Sequence, residues 1–223
     1  MRVLTWNLFH GRSVPDTPRS LLGEFTDMLA GWEWDVALLQ EVPPWWPEAL
    51  ARGCGAGERH ALTSRNALLP VRRRLAEWRP DLIKSNGGGA NAILVRGSDL
   101  RAHRSRRLRL WPERRVAHAV ELADGTWVGN VHATTHPDAR TREDLARAGA
   151  ALTSWAGGAP ALLGGDMNIG APRVPGWDDL GGHGIDRFLG RGPWTVTAPP
   201  VTLDTQGLSD HAPVVAEVVG SQA

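Results

Sequence analysis

The stretch ALLGGDMNIG, residues 161–170, carries the reading that decides the fold. Residues 161–164 form a short apolar run of strand type, closed by glycine, with Asp166 and Asn168 just beyond. A strand that ends in a carboxylate and an amide hands them to the rim of a sheet, where side chains from other strands can meet them. Working outward, the pattern recurs. Asn7 ends RVLTWN (2–7), Glu41 ends DVALLQE (35–41) and His132 ends WVGNVH (127–132). Asp186 opens IDRFL (185–189), and Asp210 and His211 precede the last strand pattern. Singly these residues are ordinary, an Asn as a turn residue and a Glu as a solvated rim charge. Together these loops, all carrying carboxylate, amide or imidazole, point to one shared site.

Strand patterns are read at 2–7, 36–40, 92–96, 116–122, 127–132, 161–164, 185–189 and 214–219. Amphipathic helical patterns cover 20–32, 138–155 and, opening near Pro70, 68–78. Asp124-Gly125 between two strand patterns signals a hairpin. Regular βαβ alternation is absent, as are a Walker A loop and a G-x-G-x-x-G turn, so a mixed α and β fold of packed sheets and helices is expected. No repeat or linker divides the chain, which reads as a single domain over 1–223.

Composition is that of an ordinary globular protein, and the net charge of +1 excludes a globally basic nucleic-acid binder. Cys54 is the sole cysteine, so neither an intrachain disulfide nor a cysteine zinc site can form. Asn7 and His10 break the apolar start too early for a signal peptide, and a cytoplasmic setting is expected. Glu41, Asp166, Asp186 and Asp210 would repel one another in one pocket unless protonated or bridged by a cation. Carboxylate and amide oxygens suit Mg²⁺, with Mn²⁺ as the substitute, rather than zinc. A phosphate ester would complete the coordination.

Here a resemblance enters. The runs RVLTWNLFHG (2–11), DVALLQEV (35–42), GGGANAILVR (87–96), WVGNVHATTH (127–136), ALLGGDMNIG (161–170), GGHGIDRFL (181–189) and LSDHAPVVAEV (208–218) follow one another at characteristic spacings. In them the chain resembles the endonuclease/exonuclease/phosphatase superfamily, which includes the DNase I-like nucleases. The resemblance implies an α+β fold, a four-layer αββα sandwich of two packed mixed β-sheets flanked by helices, with the site at one edge. It implies Glu41 as principal metal ligand, with Asn7 beside it and Asp210 nearby. His211, oriented by Asp186, would stand at the scissile phosphate. Asp166 and Asn168 would adjoin the attacking water, and His132 would contact the phosphate. Arg115 and Asn91 stand where the family has phosphate-contacting or site-supporting residues.

The expected activity is therefore Mg²⁺-dependent phosphoester hydrolysis, most of all that of a phosphodiesterase or nuclease, by in-line attack of water. Either Asp166 or the Asp186–His211 pair is the base. Phosphatase or phosphodiesterase action on a small-molecule or lipid phosphate is the alternative, and a catalytically silent binding module is the rival of another class. Seven arginines in 101–115, with Arg72 to Arg74, form a candidate track for DNA or RNA, and Trp111, Trp45 and Trp46 could stack on bases. The alternative is a solvated edge strand. No hydrophobic loop for a membrane is evident, and a monomer is expected. Tyrosine is absent, with His60 or Trp78 as stand-ins for a family tyrosine. His10, His118 and His136 are left outside the site, His118 as a packed mid-strand residue.

Overall fold

The computed structural model describes residues 1–220. The chain forms β1 (Arg2–Asn7), α1 (Leu22–Gly31), β2 (Val36–Val42), α2 (Pro47–Gly53), β3 (Gly57–Leu62), α3 (Leu69–Trp78), α4 (Pro80–Ile83) and β4 (Ala90–Val95). Then come β5 (Ala102–Arg109), β6 (Arg115–Glu121), β7 (Trp127–His132), α5 (Asp138–Ala156) and β8 (Ala161–Asp166). The described chain closes with β9 (Asp178–His183), β10 (Asp186–Arg191), β11 (Trp194–Thr202) and β12 (Val214–Gly220). One six-stranded sheet runs β11-β12-β1-β2-β4-β3 and the other β5-β6-β7-β8-β10-β9. Both are mixed, and the expected α+β sandwich is what forms.

Alternation along the strands builds the layers. Val3, Val36, Leu38, Ile93, Val128 and Phe188 meet between the sheets. The opposite faces of the first sheet, through Leu4, Trp6 and Leu39, pack on Phe25 and Leu29 of α1 and Leu50 of α2. Those of the second, through Ala117, Ala119 and Leu163, pack on Leu145, Ala148 and Leu152 of α5. The strands at the centre of each sheet therefore bury both faces over most of their length, and these are the strands legible as apolar runs. The four that the sequence reading misses, β3, β5, β9 and β11, are the four edge strands. Their residues are largely exposed, and β11 holds Pro199 and Pro200 at a register slip, so no apolar periodicity marks them. The arginine-rich 101–115 stretch is mainly such an edge strand.

Two parallel pairs set the site's rim. The pair β1 and β2 is joined through α1, and the pair β7 and β8 through α5. Strand β10 runs antiparallel to β8, so its first residue lies at the rim where β8 ends. The Asp124-Gly125 hairpin forms between β6 and β7 as expected.

Candidate active site

The register places the polar ends side by side. Asn7 is opposite Gln40, His132 opposite Asp166, and Asp166 opposite Asp186. Both glycines before Asp166 are needed. A Cβ on Gly164 would lie 2.6 Å from Leu38 Cδ1 in the neighbouring sheet. Gly165 has φ +140, and its Cβ would lie 1.9 Å from the Val131 carbonyl oxygen. Glu41 sits in a bulge, where Gln40 and Glu41 oppose Asn91 alone between the Leu39–Ala92 and Val42–Ala90 pairs, and its φ is +50. That turn of the backbone re-aims Glu41 to the rim. Among the described residues nine non-glycines have positive φ, and Phe9, His10, Glu41, Asn168 and Ser209 are five of them, so backbone strain gathers at this rim.

Hydrogen bonds then fix the side chains. Asn7 Nδ2 donates to Asp166 Oδ2 at 3.1 Å, and Phe9 N donates to Asn7 Oδ1 at 3.0 Å. Asn168 N donates to Asp166 Oδ1 at 3.0 Å, while one Nδ2 hydrogen of Asn168 goes to the Ala133 carbonyl at 3.0 Å. His132 Nε2 is 3.4 Å from Asp166 Oδ2, and its Nδ1 is 4.0 Å from Glu41 Oε1. His211 Nδ1 bonds Asp186 Oδ2 at 2.9 Å, and its Nε2 faces Asp166 Oδ2 at 4.0 Å.

Electrostatics divide the groups. Burial, reinforced by Asp186, raises the Asp166 carboxyl to about 6. Burial works against a charged His211 ring. The hydrogen bond to Asp186 and the charges of Asp186, Asp166 and Asp210 outweigh it and raise His211 to about 9. His132 is driven well below the usual imidazole range by burial, then by Arg115, and is neutral. Burial also raises Glu41, with Asp210 adding to it.

Each expected site residue comes to this rim or supports it. Asp210 is exposed and near enough for its charge to act on Glu41 and His211. Arg115 is buried, borders a cleft with Glu41 and His132, and pairs with Glu113 at 3.0 Å. Its Nε is without a partner, as is Asn91 Oδ1, although Asn91 Nδ2 ties β4 to the Val116 carbonyl at 3.1 Å. His10, left out by the sequence reading, lines the same cleft with Nε2 3.1 Å from Glu41 Oε2. His118 is packed and fully buried as expected. Trp46 does not serve for base stacking. It is buried in the core against Phe25 because α2 turns its ring inward.

Supports that carry no chemistry were not foreseen. Ser209 Oγ donates to the Asn7 carbonyl at 2.6 Å and accepts from His211 N at 3.1 Å, and Trp6 Nε1 donates to the His211 carbonyl at 3.0 Å. Between the sheets, Gln40 Nε2 donates to Asn130 Oδ1 at 2.8 Å. Asn130 Nδ2 in turn donates to the Leu39 carbonyl at 2.9 Å and the Ala92 carbonyl at 2.8 Å. Asn130 lies two residues before His132 and Gln40 one before Glu41. This network therefore clamps the strands that carry the site.

A divalent cation fits the donor set. His10 Nδ1 is 3.3 Å from the Gly88 carbonyl, which can only accept, and burial lowers the ring to about 4. A neutral ring has one hydrogen for two acceptors, the Gly88 carbonyl and Glu41 Oε2, so one of the two contacts sets lone pair against lone pair. Two lone-pair atoms that close require a proton or a cation between or beside them. Ligand-type atoms of Asp166, Asp186 and His211 also lie within 4.8 Å of one another. In that trio His211 Nδ1 pairs with Asp186 Oδ2 at 2.9 Å, while the buried Asp186 Oδ1 is without a partner.

The sequence matches the endonuclease/exonuclease/phosphatase family over residues 4–211. The chain belongs to that family. Its members are hydrolases of phosphoric ester bonds and generally depend on a divalent metal, and the chain is an enzyme of that class. Among solved structures, a functionally unknown conserved protein from Enterococcus faecalis is 19% identical with a TM-score of 0.74, covering 99% of this chain and 100% of that one. The mannosyl-6-phosphatase of Bacteroides thetaiotaomicron is 15% identical with a TM-score of 0.67, covering 98% and 99%. TDP2 from Caenorhabditis elegans is 16% identical with a TM-score of 0.68, covering 99% of this chain and 74% of that one. At these identities the likenesses show the family's fold. No curated protein matches the chain.

Proposed function

We propose that this member of the family is a Mg²⁺-dependent phosphodiesterase, in which water attacks phosphorus in line. The observation that carries the reading is geometric: Asp166 Oδ2 and His211 Nε2 face each other at 4.0 Å, in surroundings that favour opposite protonation. Asp166, raised to about 6, is a carboxylate basic enough to take a proton from water near neutral pH. His211, raised to about 9, is an imidazolium that holds its proton and turns Nε2 toward the same cleft. Of the two candidate bases, this favours Asp166 and leaves His211, held by Asp186, to donate to the phosphoryl group as charge builds there. The second Nδ2 hydrogen of Asn168 is available to the same oxygens, and neutral His132 sits between Glu41 and Asp166 to orient both.

Glu41, with Asn7 and Asp210, would hold the cation. When bound, the ion polarises a non-bridging oxygen and stabilises charge on the leaving group. Of the arginines that border the cleft, Arg65 and Arg115 both pair with Glu113 and Arg114 is left for a phosphate, which favours a diester's single charge over a monoester's two. A nucleic-acid backbone keeps support from the exposed Arg104, Arg106 and Arg107 of β5, while Arg109 is spent on Glu143 and Asp144.

The test is hydrolysis of bis(p-nitrophenyl) phosphate, p-nitrophenyl phosphate and a fluorescent single-stranded DNA, each with Mg²⁺, Mn²⁺ or EDTA. Metal-dependent cleavage of the diester, lost in Glu41→Gln, is expected. Turnover of the monoester alone would refute the diesterase reading, and full diesterase activity in EDTA would refute the metal assignment.

A further inference from the structure

The large apolar side chains left in water are not scattered. Among the described residues ten are exposed, and seven of them come from two short segments, 68–82 and 110–111. On α3 no residue is buried. Leu69, Arg72 and Ala76 turn toward the body of the protein, and the opposite side presents Val71, Leu75 and Trp78 as a stripe at i, i+4 and i+7. Val71 is 66% exposed and Trp78 69%. Leu68 precedes the stripe, and Leu82 follows it on α4. The second segment is the β5–β6 loop, where Leu110 is exposed and Trp111 is 79% exposed.

The two segments are tied together at the mouth of the active site. Ser64 Oγ accepts from Arg114 N at 2.7 Å, and Arg65 pairs with Glu113. Ser64, Arg65, Glu113 and Arg114 border the cleft that holds Glu41, His10 and His132. The chain runs from that border straight into Leu68 and α3, and α3 packs on the turn whose Gly88 carbonyl meets His10.

Charge identifies the occupant. Residues 65–84 hold six basic residues and two acidic ones, and 101–115 hold seven arginines and one glutamate. Arg74 stands exposed beside Val71, Leu75 and Trp78. Exposed aliphatic residues with a tryptophan, flanked by arginines, form the pattern of a helix that lies in the headgroup plane of an anionic bilayer. Nucleic acid has no use for Val71, Leu75, Leu68 and Leu82, which cannot stack on bases. A second copy docked by two-fold symmetry would set Arg74 against its own equivalent. No helix of the described residues is long and apolar enough to cross a membrane, but lying on one requires only this exposed face.

We propose that α3 and the 110–111 loop dock the protein on anionic membrane surfaces and turn the mouth of the active site toward the headgroups. The docking surface is distinct from the residues assigned to chemistry, so it is tested by binding alone. The assay is vesicle flotation with phosphatidylcholine against phosphatidylcholine containing about a third phosphatidylglycerol, comparing the wild type with a variant combining Val71→Ser, Leu75→Ser and Leu82→Ser. All three side chains are exposed, so melting and diester hydrolysis should be unchanged in the variant. Expected are wild-type binding to the anionic vesicles and at least about a tenfold loss of affinity in the variant. Leu75→Cys, labelled with an environment-sensitive dye because Cys54 is buried, should blue-shift on those vesicles only. Equal binding by wild type and variant would reduce the surface to a charge patch and overturn the proposal. Absence of vesicle binding would also overturn it, as would concentration-dependent self-association that the serine variant abolishes.

Discussion

At the level of single residues, the candidate site gives like groups unlike surroundings. Asp166 and Asp186 are cross-strand neighbours, yet only Asp186 is neutralised by a hydrogen-bonded imidazolium, so Asp166 retains the basicity. His211→Ala should lower diester turnover by about 10²- to 10⁴-fold while cooperative melting persists, and unchanged turnover would remove His211 from the mechanism. The same ring should shape stability against pH. Folded, it keeps its proton to about 9, whereas the ordinary value is 6.5. Its contribution is therefore complete below about pH 6.5 and disappears as pH rises through 9. In EDTA, wild-type melting temperature should fall across that window more steeply than that of His211→Gln. Parallel curves would show that Asp186 does not hold the proton there. Metal binding belongs to this level too. Saturating Mg²⁺ should raise the melting temperature of the wild type and leave Glu41→Gln where it was, as read by differential scanning fluorimetry.

Elements turn those residues into a site through backbone features with little slack. The bulge on β2 aims Glu41, and the glycine pair on β8 lets that strand pass close to β7 and the opposite sheet. Gly165→Ala should cost at least about 3 kcal/mol in urea denaturation, because the new Cβ meets a carbonyl and not a movable side chain. A loss under about 1 kcal/mol would mean that β7 and β8 can part without harm. Of the residues proposed to act, Asn7, Glu41, His132, Asp166, Asp186 and His211 were readable because each ends, opens or adjoins an apolar run with a group that no core would tolerate unaided. Ser209, Trp6, Gln40 and Asn130 were not, since a serine in a loop or an amide inside a strand has no local signature. His10 was passed over for the same reason. It is brought to Glu41 by a 3₁₀ turn that packs against Gly88, nearly eighty residues away.

Across the whole molecule, two sheets back to back hold the rim rigid through an apolar layer closed at the site end by Gln40 and Asn130. Phe188, fully buried between the sheets, should lose about 3–5 kcal/mol of stability as Phe188→Ala, measured by chemical denaturation. A much smaller loss would show that the sheets can close over the cavity. By itself the sequence determined the central strands, the three long helices, the hairpin and the residue types of the site. Burial on both faces and polar chain ends are written in local order. Tertiary structure decided the edge strands, which bury too little to show a period, and the inward turn of Trp46. It alone also decided the pKa values, which depend on which carboxylate faces which ring. The outward face of α3 belongs to the same class. Its apolar stripe looks like any core helix in sequence, and only the packed molecule leaves that side uncovered.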